Sequence, residues 1–196
     1  MKKGRINVKT VICMAIVFAV IIAGAYVLLA AKEKLTHDTF PLKYESEVNA
    51  ASEKYNVEKA LIYAVIKTES NFDPAAKSVA GAMGLMQIMP DTFTWLNSYY
   101  VKDDSHKTED LYDPKINIEY GTQLLSILLE KYGVEDTALC AYNGGVGNVD
   151  EWLKDPEYSD DGKTLKAVPF GETDNYRKKV ARNKSVYIEL YFKDDD

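Results

Sequence analysis

The stretch VEKALIYAVIKTESNFDPAAKSVAGAMGLMQIMP, residues 57–90, decides the fold of this chain. Its first part places apolar residues at helical spacing and ends in a glutamate, Glu69. Its second part is an almost uncharged loop that contains Gly81 and Gly84. Long ordered loops in a compact domain usually carry function. The stretch therefore predicts a helix that delivers one carboxylate to the edge of a functional loop.

The position of Glu69 in the sequence predicts a carboxyl group with a raised pKa. It follows Val65 by four residues and Leu61 by eight, so it lies on or beside the apolar face of the helix. It also lies in the last helical turn, at the negative end of the helix dipole. Both conditions disfavour the ionised form and raise the pKa, as a general acid requires. A solvated glutamate at a helix end is the ordinary alternative, and these arguments alone leave both open.

Outward from this stretch, the soluble part is predicted to be mostly α-helical. A polar residue, Asn56, is predicted to cap the helix that ends at Glu69. Gly121 lies inside an apolar helical stripe, where glycine costs about 1 kcal/mol relative to alanine, and this predicts close packing. No segment alternates as a β-strand. Further helices are predicted over 44–55, from Pro90 onward, around 118–132, over 135–142, near 147–153 and over 172–192.

The N-terminal region contains an uncharged run, TVICMAIVFAVIIAGAYVLLAA, at residues 10–31. As a helix it would be about 33 Å long, enough to cross a bilayer core of about 30 Å. The small residues 23–25 resemble a signal-peptide cleavage site, but the apolar run continues past them, which favours an uncleaved anchor. The predicted organisation is a cytoplasmic tail at 1–9, a transmembrane anchor at 10–31, a polar stalk at 32–43 with Pro41 blocking a helix, and one soluble domain at 44–196.

The charge distribution predicts the orientation of the chain in the membrane and argues against a nucleic-acid partner. Four basic residues precede the apolar run and two follow it closely, which places the tail in the cytoplasm and the domain on the extracytoplasmic side of the cell membrane. Residues 32–196 carry 20 basic and 30 acidic residues, a net charge of −10. A nucleic-acid partner requires a basic face, so none is predicted.

The cysteine and histidine content predicts neither a metal site nor a cofactor. Cys13 lies in the apolar run and Cys140 in an apolar stretch of the domain, so each is interpreted as a small buried residue rather than half of a disulfide. With only His37 and His106, a zinc site or a Ser-His-Asp triad is not expected.

Four blocks of the chain form a recognisable set: ESNFDPAAKSVAGAMGLMQIMPDT at 69–92, LYDPKINIEYGTQLLSILLEKYG at 111–133, ALCAYNGGVGNV at 138–149 and VPFGETDNYRKKV at 168–180. These blocks resemble the lytic transglycosylases of the goose-lysozyme-like superfamily. They stand in the family's order and cover about residues 50–190, which makes the resemblance specific. Cys140 and Gly144 stand where the family usually has alanine, and neither change removes a polar group.

The resemblance implies a lysozyme-like, mostly α-helical domain that cleaves the β-1,4 bond between N-acetylmuramic acid and N-acetylglucosamine in peptidoglycan glycan strands. It implies that Glu69 is the single catalytic acid and base. It further implies that the following residues contact or orient the substrate: Ser70, Met86, Gln87, Tyr142, Asn143, Glu172 and Tyr176.

The sequence supplies one obvious carboxylate where ordinary glycosidases use two. Asp73 precedes Pro74 and reads as a turn residue rather than a second catalytic group. One carboxylate suffices if the substrate's own C6 hydroxyl attacks C1 and leaves a 1,6-anhydro end, which is the route that the resemblance implies. Two alternatives stay open: a hydrolytic muramidase on the same fold, and a non-catalytic peptidoglycan-binding scaffold of an envelope-spanning machinery.

Overall fold

A computed structural model of the chain describes residues 8–102 and 105–193. Residues 1–7, which hold most of the predicted cytoplasmic tail, lie outside the described part, as do 103–104 and 194–196. The chain divides after Pro41 into two compact units, and each is described by itself.

The first unit is a single long helix, α1 (Val8–Thr39). Within it, the segment Ile16–Thr39 contains an 18-residue stretch that has a mean hydropathy of 2.0 and is not buried by protein, so the helix is long and apolar enough to cross a membrane. A signal sequence near an N-terminus meets the same criteria of length and composition. The helix continues through most of the predicted stalk and ends two residues before Pro41, because a proline disfavours helical geometry in the residue before it. The side chain of Cys13 is not among those described.

The second unit, from Leu42 onward, is a helical domain. Its regular elements among the described residues are α2 (Glu45–Tyr55), α3 (Lys59–Glu69), α4 (Pro90–Leu96), a π-helical turn (Asn97–Val101), a 3₁₀ turn (Thr108–Tyr112), α5 (Pro114–Tyr132), α6 (Glu135–Gly144), α7 (Val146–Trp152), α8 (Gly171–Tyr187) and a second π-helical turn (Ile188–Phe192). The described residues contain isolated bridges but no β-strand, so the mostly α prediction is confirmed.

Helix α3 is the central helix of the domain. Every residue from Ala60 to Ile66 is buried, because α2 and α8 both pack against it. The sequence predicted one buried face, whereas the helix is apolar on all sides, as expected for a helix in the middle of a core. The predicted cap was wrong: Asn56 ends α2 in a left-handed conformation, and Glu58 precedes the first turn of α3.

Helix α5 forms the opposite side of the core and packs against α2 and α6. Its glycine, Gly121, lies against Met86 of the loop between α3 and α4. A Cβ at this position would meet Met86 Sδ at 2.5 Å and Met86 Cβ at 2.8 Å. The predicted close packing at Gly121 is confirmed, and Met86 is the residue that requires it. Cys140, on α6, is buried and carries a free thiol, as predicted for a small core residue.

Candidate active site

The site is organised around Glu69, the last residue of α3. Because the preceding turns are buried, the carboxyl group emerges from the core with only partial exposure to solvent. Burial is the main cause that raises the pKa of Glu69, to about 7, and the negative charge of Glu172 acts in the same direction. Tyr176 and Lys179 act against this rise. The raised pKa predicted from the sequence is therefore found, with burial as its principal cause.

Two tyrosines from different helices flank the carboxyl group. Tyr142, on α6, and Tyr176, on α8, hold their rings parallel within 3°, with centroids 6.4 Å apart. Burial raises the pKa of both hydroxyls, and the nearby charge of Glu69 raises each further. Both groups therefore stay protonated and available as hydrogen-bond donors at neutral pH.

The two hydroxyls are used differently. Tyr142 Oη donates a 2.8 Å hydrogen bond to the carbonyl oxygen of Met86 and so joins α6 to the loop. Tyr176 Oη is buried and makes no hydrogen bond of regular geometry to the described residues. It nevertheless faces Glu69 closely enough to lower the pKa of that carboxyl group. Tyr176 is thus a donor held next to Glu69 with unused bonding capacity.

The loop at residues 70–89 forms one side of the site. Ser70 Oγ donates to the carbonyl oxygen of Leu85 at 2.8 Å, so the residue after Glu69 is fastened to the far end of the loop. The Gln87 side-chain amide donates to the carbonyl oxygens of Gly84 (2.8 Å) and Ala76 (3.2 Å). The Ser70 bond holds the loop against the end of α3, and the Gln87 bonds add a second donor to loop carbonyl oxygens that also accept backbone hydrogen bonds.

A buried asparagine of α5, Asn117, fixes the loop from below. Its amide nitrogen donates to the carbonyl oxygens of Met83 (2.8 Å) and Leu111 (2.7 Å), and its Oδ1 accepts from the Met86 backbone N–H at 2.7 Å. Gly84 lies directly over this amide with φ +75°, and a Cβ there would collide with both Asn117 and the Leu111 carbonyl. The loop therefore requires glycine at 84 for two reasons, the close approach and the left-handed backbone.

Helix α8 connects the remaining parts of the site. Thr173 Oγ1 donates a 2.8 Å hydrogen bond to Asn143 Oδ1 at the end of α6. Asn183 Nδ2 donates to Thr68 Oγ1 at 2.9 Å, next to Glu69 in the chain. One helix therefore positions Tyr176 and secures the ends of both α3 and α6.

A groove of about 420 Å³ opens beside Tyr142 and Asn143. Its walls come from α4, α5, α6 and the start of α7, and they combine apolar side chains with a few polar groups, as ligand sites generally do. The lining residues are Met89, Thr92, Trp95, Leu124, Leu128, Ala141, Tyr142, Asn143, Gly145 and Val146.

The predicted site residues are not all used as the sequence suggested. Met86 is fully buried, so its side chain does not line a groove; it packs on Gly121 and contributes its carbonyl oxygen to Tyr142. Gln87 turns its amide nitrogen into the loop. Glu172 is exposed in the first turn of α8 and acts on Glu69 through its charge.

Three residues of the site were not singled out from the sequence. Asn117, Thr173 and Asn183 are all buried polar residues whose side chains bond to the loop or to helix ends. The available signal was a polar residue on an otherwise apolar helical stripe, since a buried amide or hydroxyl needs a specific partner. Among residues 8–102 and 105–193, no group of three or more His, Cys, Asp or Glu side chains could hold a metal ion.

The model of the transglycosylase SLT domain matches residues 46–165, well over half of the chain. The chain belongs to the transglycosylase SLT domain family. This match contains Glu69, the loop, Asn117 and Tyr142, while Thr173, Tyr176 and Asn183 lie beyond its end.

Individual relatives and a solved structure agree with the SLT domain assignment. A transglycosylase of Enterobacteria phage PRD1 is 37% identical over 127 residues, which cover 65% of this chain and 43% of that protein. Membrane-bound lytic murein transglycosylase C of Edwardsiella ictaluri is 39% identical over 120 residues, covering 55% and 32%. The 70 kDa soluble lytic transglycosylase of Escherichia coli superposes with a TM-score of 0.70 at 29% identity, covering 79% and 25%. The SLT domain here therefore has the lysozyme-like helical fold, and the chain spans less than half the length of these proteins.

Proposed function

We propose that this chain is a peptidoglycan lytic transglycosylase with Glu69 as its single acid and base. The observation that carries the proposal is the partly buried Glu69 carboxyl group, whose pKa burial raises to about 7 and which lies near two protonated tyrosines, one of which, Tyr142, lines the groove. The substrate is the bond between N-acetylmuramic acid and N-acetylglucosamine in a glycan strand. Membership of the SLT domain family supports this assignment.

The first chemical step uses the protonated form of Glu69. With a pKa of about 7, roughly half of the molecules carry this proton at neutral pH, which suits a general acid. Glu69 donates the proton to the bridging glycosidic oxygen as the bond from that oxygen to C1 of the muramic sugar breaks. The 2-acetamido oxygen of the same sugar stabilises the positive charge at C1.

The second step returns the proton. The Glu69 carboxylate removes the proton from the C6 hydroxyl of the muramic sugar, and the C6 oxygen forms a bond to C1. The product is a 1,6-anhydro end, no water is consumed, and Glu69 recovers its starting state. Tyr176 orients the carboxylate throughout, because its buried hydroxyl faces Glu69 and is not engaged in a regular hydrogen bond to any described residue.

The other residues predicted for the site support the reaction in different ways. Asn143 lines the groove and is held by Thr173, so its side chain is available to the acetamido group of a bound sugar. Ser70 and Gln87 keep the loop in shape through their bonds to its backbone. Met86 carries the carbonyl oxygen that fixes Tyr142. Glu172 keeps the pKa of Glu69 high through its negative charge.

The N-terminal helix fits a single-pass membrane anchor. Within its candidate span, Ile16–Thr39, an 18-residue apolar stretch has a mean hydropathy of 2.0 and is not covered by protein. The basic residues before it favour a cytoplasmic tail, which places the domain on the extracytoplasmic side, where peptidoglycan lies. Extraction of membranes with alkaline carbonate, followed by protease treatment of intact spheroplasts, tests this arrangement: the domain should stay with the membrane and be digested from outside.

Product analysis tests the chemistry. The purified full chain in detergent is incubated with peptidoglycan, and the soluble products are measured by mass spectrometry beside a Glu69→Gln variant. The expected products carry 1,6-anhydromuramic ends and are absent with the variant. Hydrated reducing ends would show a hydrolytic muramidase instead. Release of nothing by folded wild-type protein would favour a non-catalytic peptidoglycan-binding role.

A further inference from the structure

An exposed aromatic pair, Trp95 and Tyr100, includes one ring that lines the groove. Trp95, on α4, lines the groove, yet 38% of its surface is exposed. The ring of Tyr100 packs edge-on against it, with centroids 5.2 Å apart and an angle of 67° between the planes. Tyr100 is itself 48% exposed. Two large rings are thus held side by side at the surface, and one of them is continuous with the groove wall.

A local change in helix geometry creates this pair. In a regular α-helix, residues three or four apart share a face, and residues five apart do not. Here α4 continues directly into the π-helical turn Asn97–Val101, closed by a hydrogen bond of 2.7 Å from the Lys102 N–H to the Asn97 carbonyl oxygen. The wider turn brings Tyr100 beneath Trp95. Turns of this kind inside helices often mark functional sites.

The segment that carries the pair is attached to α5 by a ring contact and a hydrogen bond. Phe93, on the inner side of α4, packs against Tyr120 of α5 with centroids 4.7 Å apart. The Tyr120 hydroxyl donates a 3.0 Å hydrogen bond to Asn97 Oδ1, at the start of the π turn. The segment is therefore attached to α5 on its inner side while Trp95 and Tyr100 face outward. A surface whose shape is fixed before binding loses little entropy when it takes up a ligand.

We propose that Trp95 and Tyr100 form a sugar-stacking surface that binds a further saccharide unit of the glycan strand, beyond the sugars next to Glu69. This inference rests on the proposed function and adds a specificity for long strands. The pyranose ring of an N-acetylated sugar has an apolar face that matches an aromatic ring, and its rim of polar groups suits the neighbouring Thr92 and Asn143.

Continuity with the groove is the reason for choosing a glycan as the occupant. Trp95 shares the groove with Tyr142 and Asn143, so a strand lying along it reaches the pair without leaving the protein surface. Tyr99 provides the contrast. It is more exposed, at 69%, but it does not line the groove and makes no ring contact with Trp95 within the described residues.

Binding to insoluble peptidoglycan tests the surface directly. The full chain carries Glu69→Gln to prevent cleavage and is reconstituted in lipid nanodiscs. Adding Trp95→Ala should weaken binding roughly tenfold, the loss typical of truncating an aromatic anchor. Tyr100→Ala should weaken it less, and Tyr100→Phe should restore it because the ring is kept. Tyr99→Ala, the matched control, should bind like the parent protein.

Activity gives an independent readout. In the protein with Glu69 intact, Trp95→Ala should raise KM for long strands and should affect KM for a tetrasaccharide much less. A binding curve for Trp95→Ala that overlays the parent curve overturns the inference. Equal KM changes for long and short substrates also overturn it, since a structural defect would not depend on strand length.

A membrane-facing role for the pair is tested by fluorescence. The chain has two tryptophans, and Trp152 is buried, so quenching by brominated lipids in the nanodisc would report on Trp95. Strong quenching that disappears in Trp95→Phe would assign the pair to the lipid surface and overturn the glycan assignment.

If wild-type protein releases anhydro products while Trp95→Ala behaves like it, only this inference fails. If wild-type protein neither binds nor cleaves, the proposed function fails with it.

Discussion

The Tyr142 hydroxyl donates a 2.8 Å hydrogen bond to the Met86 carbonyl oxygen, across a sequence separation of 56 residues. This bond ties α6 to the loop that follows Glu69, while the ring of Tyr142 lies parallel to that of Tyr176. The two tyrosines therefore look equivalent around Glu69 but bond differently. The Tyr142 hydroxyl bonds to the loop backbone, whereas the Tyr176 hydroxyl faces the Glu69 carboxyl group.

Removing the Tyr176 hydroxyl should change the pH dependence of the reaction. Tyr176 lowers the pKa of Glu69 because its hydroxyl favours the carboxylate form. In Tyr176→Phe the pKa of Glu69 should rise, so the alkaline limb of the kcat/KM profile should move to higher pH. The hydroxyl that is proposed to orient the carboxylate is lost as well, so kcat should fall roughly tenfold to a hundredfold.

Tyr142→Phe is the matched control for that profile. Its hydroxyl bonds to Met86 rather than to Glu69, so the variant should lose stability and leave the alkaline limb near its wild-type position. The loss should be about 1–2 kcal/mol, because a partly buried carbonyl is left without its donor. If both variants move the limb equally, the two hydroxyls do not have the separate roles assigned to them.

The charge of Glu69 should lower stability above neutral pH. Its pKa rises from 4.5 to about 7 on folding, so between these values the folded protein binds more protons than the unfolded chain. Stability from this group is present in full below about pH 4.5 and is lost as the pH rises through about 7. Glu69→Gln cannot ionise and should be more stable at pH 8 by about 2–3 kcal/mol, with little difference at pH 4.

Melting curves of the full chain in detergent, recorded from pH 4 to pH 8, measure this difference. A Glu172→Gln variant is a useful comparison, because it removes a charge that raises the pKa of Glu69 without removing Glu69 itself. In this variant the pKa of Glu69 should fall, so the alkaline limb of the kcat/KM profile should move to lower pH. If Glu69→Gln were more stable than the wild-type protein by the same amount at every pH from 4 to 8, the raised pKa of Glu69 would be contradicted.

Asn117 should be the most sensitive polar residue of the loop support. Asn117→Ala removes the side-chain partner of the Leu111 carbonyl oxygen and of the Met86 N–H, and one of the two donors to the Met83 carbonyl oxygen, which still accepts from the Ile88 N–H. The expected loss is about 3–5 kcal/mol of unfolding free energy, since buried groups left unpaired are costly. Asn148→Ala is the control, because that exposed amide donates to the Gly144 carbonyl oxygen in its own segment, and the variant should lose less than about 1 kcal/mol.

Gly121→Ala should destabilise the domain even though alanine favours helices. The new Cβ would meet Met86 at 2.5–3.0 Å, so either the side chain or the loop must shift. The cost of overpacking, about 1–3 kcal/mol, exceeds the gain in helix propensity of about 1 kcal/mol. Gly147→Ala in α7, where a Cβ meets nothing within 4 Å, should be neutral or slightly stabilising.

A double-mutant cycle assigns the Gly121 effect to its contact. In a Met86→Ala background the obstructing side chain is absent, so Gly121→Ala should cost much less than in the wild-type background. Equal costs in both backgrounds would mean that the strain arises elsewhere in α5.

Thr173 should matter for turnover through Asn143. Thr173→Val removes the hydroxyl that donates to Asn143 Oδ1 at similar side-chain volume. The freed amide should sample other rotamers, and kcat should fall roughly tenfold, as expected when a substrate-positioning group loses its support. Thr173→Ser keeps the hydroxyl and should retain most of the activity. A Thr173→Val enzyme with wild-type kcat would show that this bond is only structural.

Several features of this structure could be predicted from short stretches of the sequence alone. The apolar spacing of residues 57–69 was enough to predict α3 and the environment of Glu69, because a helix presents residues four apart on one face. Gly121 was enough to predict a close contact, since glycine inside a helix needs a reason. The family resemblance rested on four ordered blocks, which are also local features of the chain.

The use of each side chain was decided by tertiary structure. Met86 and Gln87 stand in one short motif, yet Met86 is buried beneath the loop and Gln87 binds its backbone, because the loop folds back over α5. Tyr142 and Tyr176 look alike in the sequence, and only their positions on α6 and α8 separate their roles. Sequence determined which residues are polar, apolar or glycine, and so which helices form. The three-dimensional packing decided which polar groups find partners, because those partners lie tens of residues away and burial forces each group to have one.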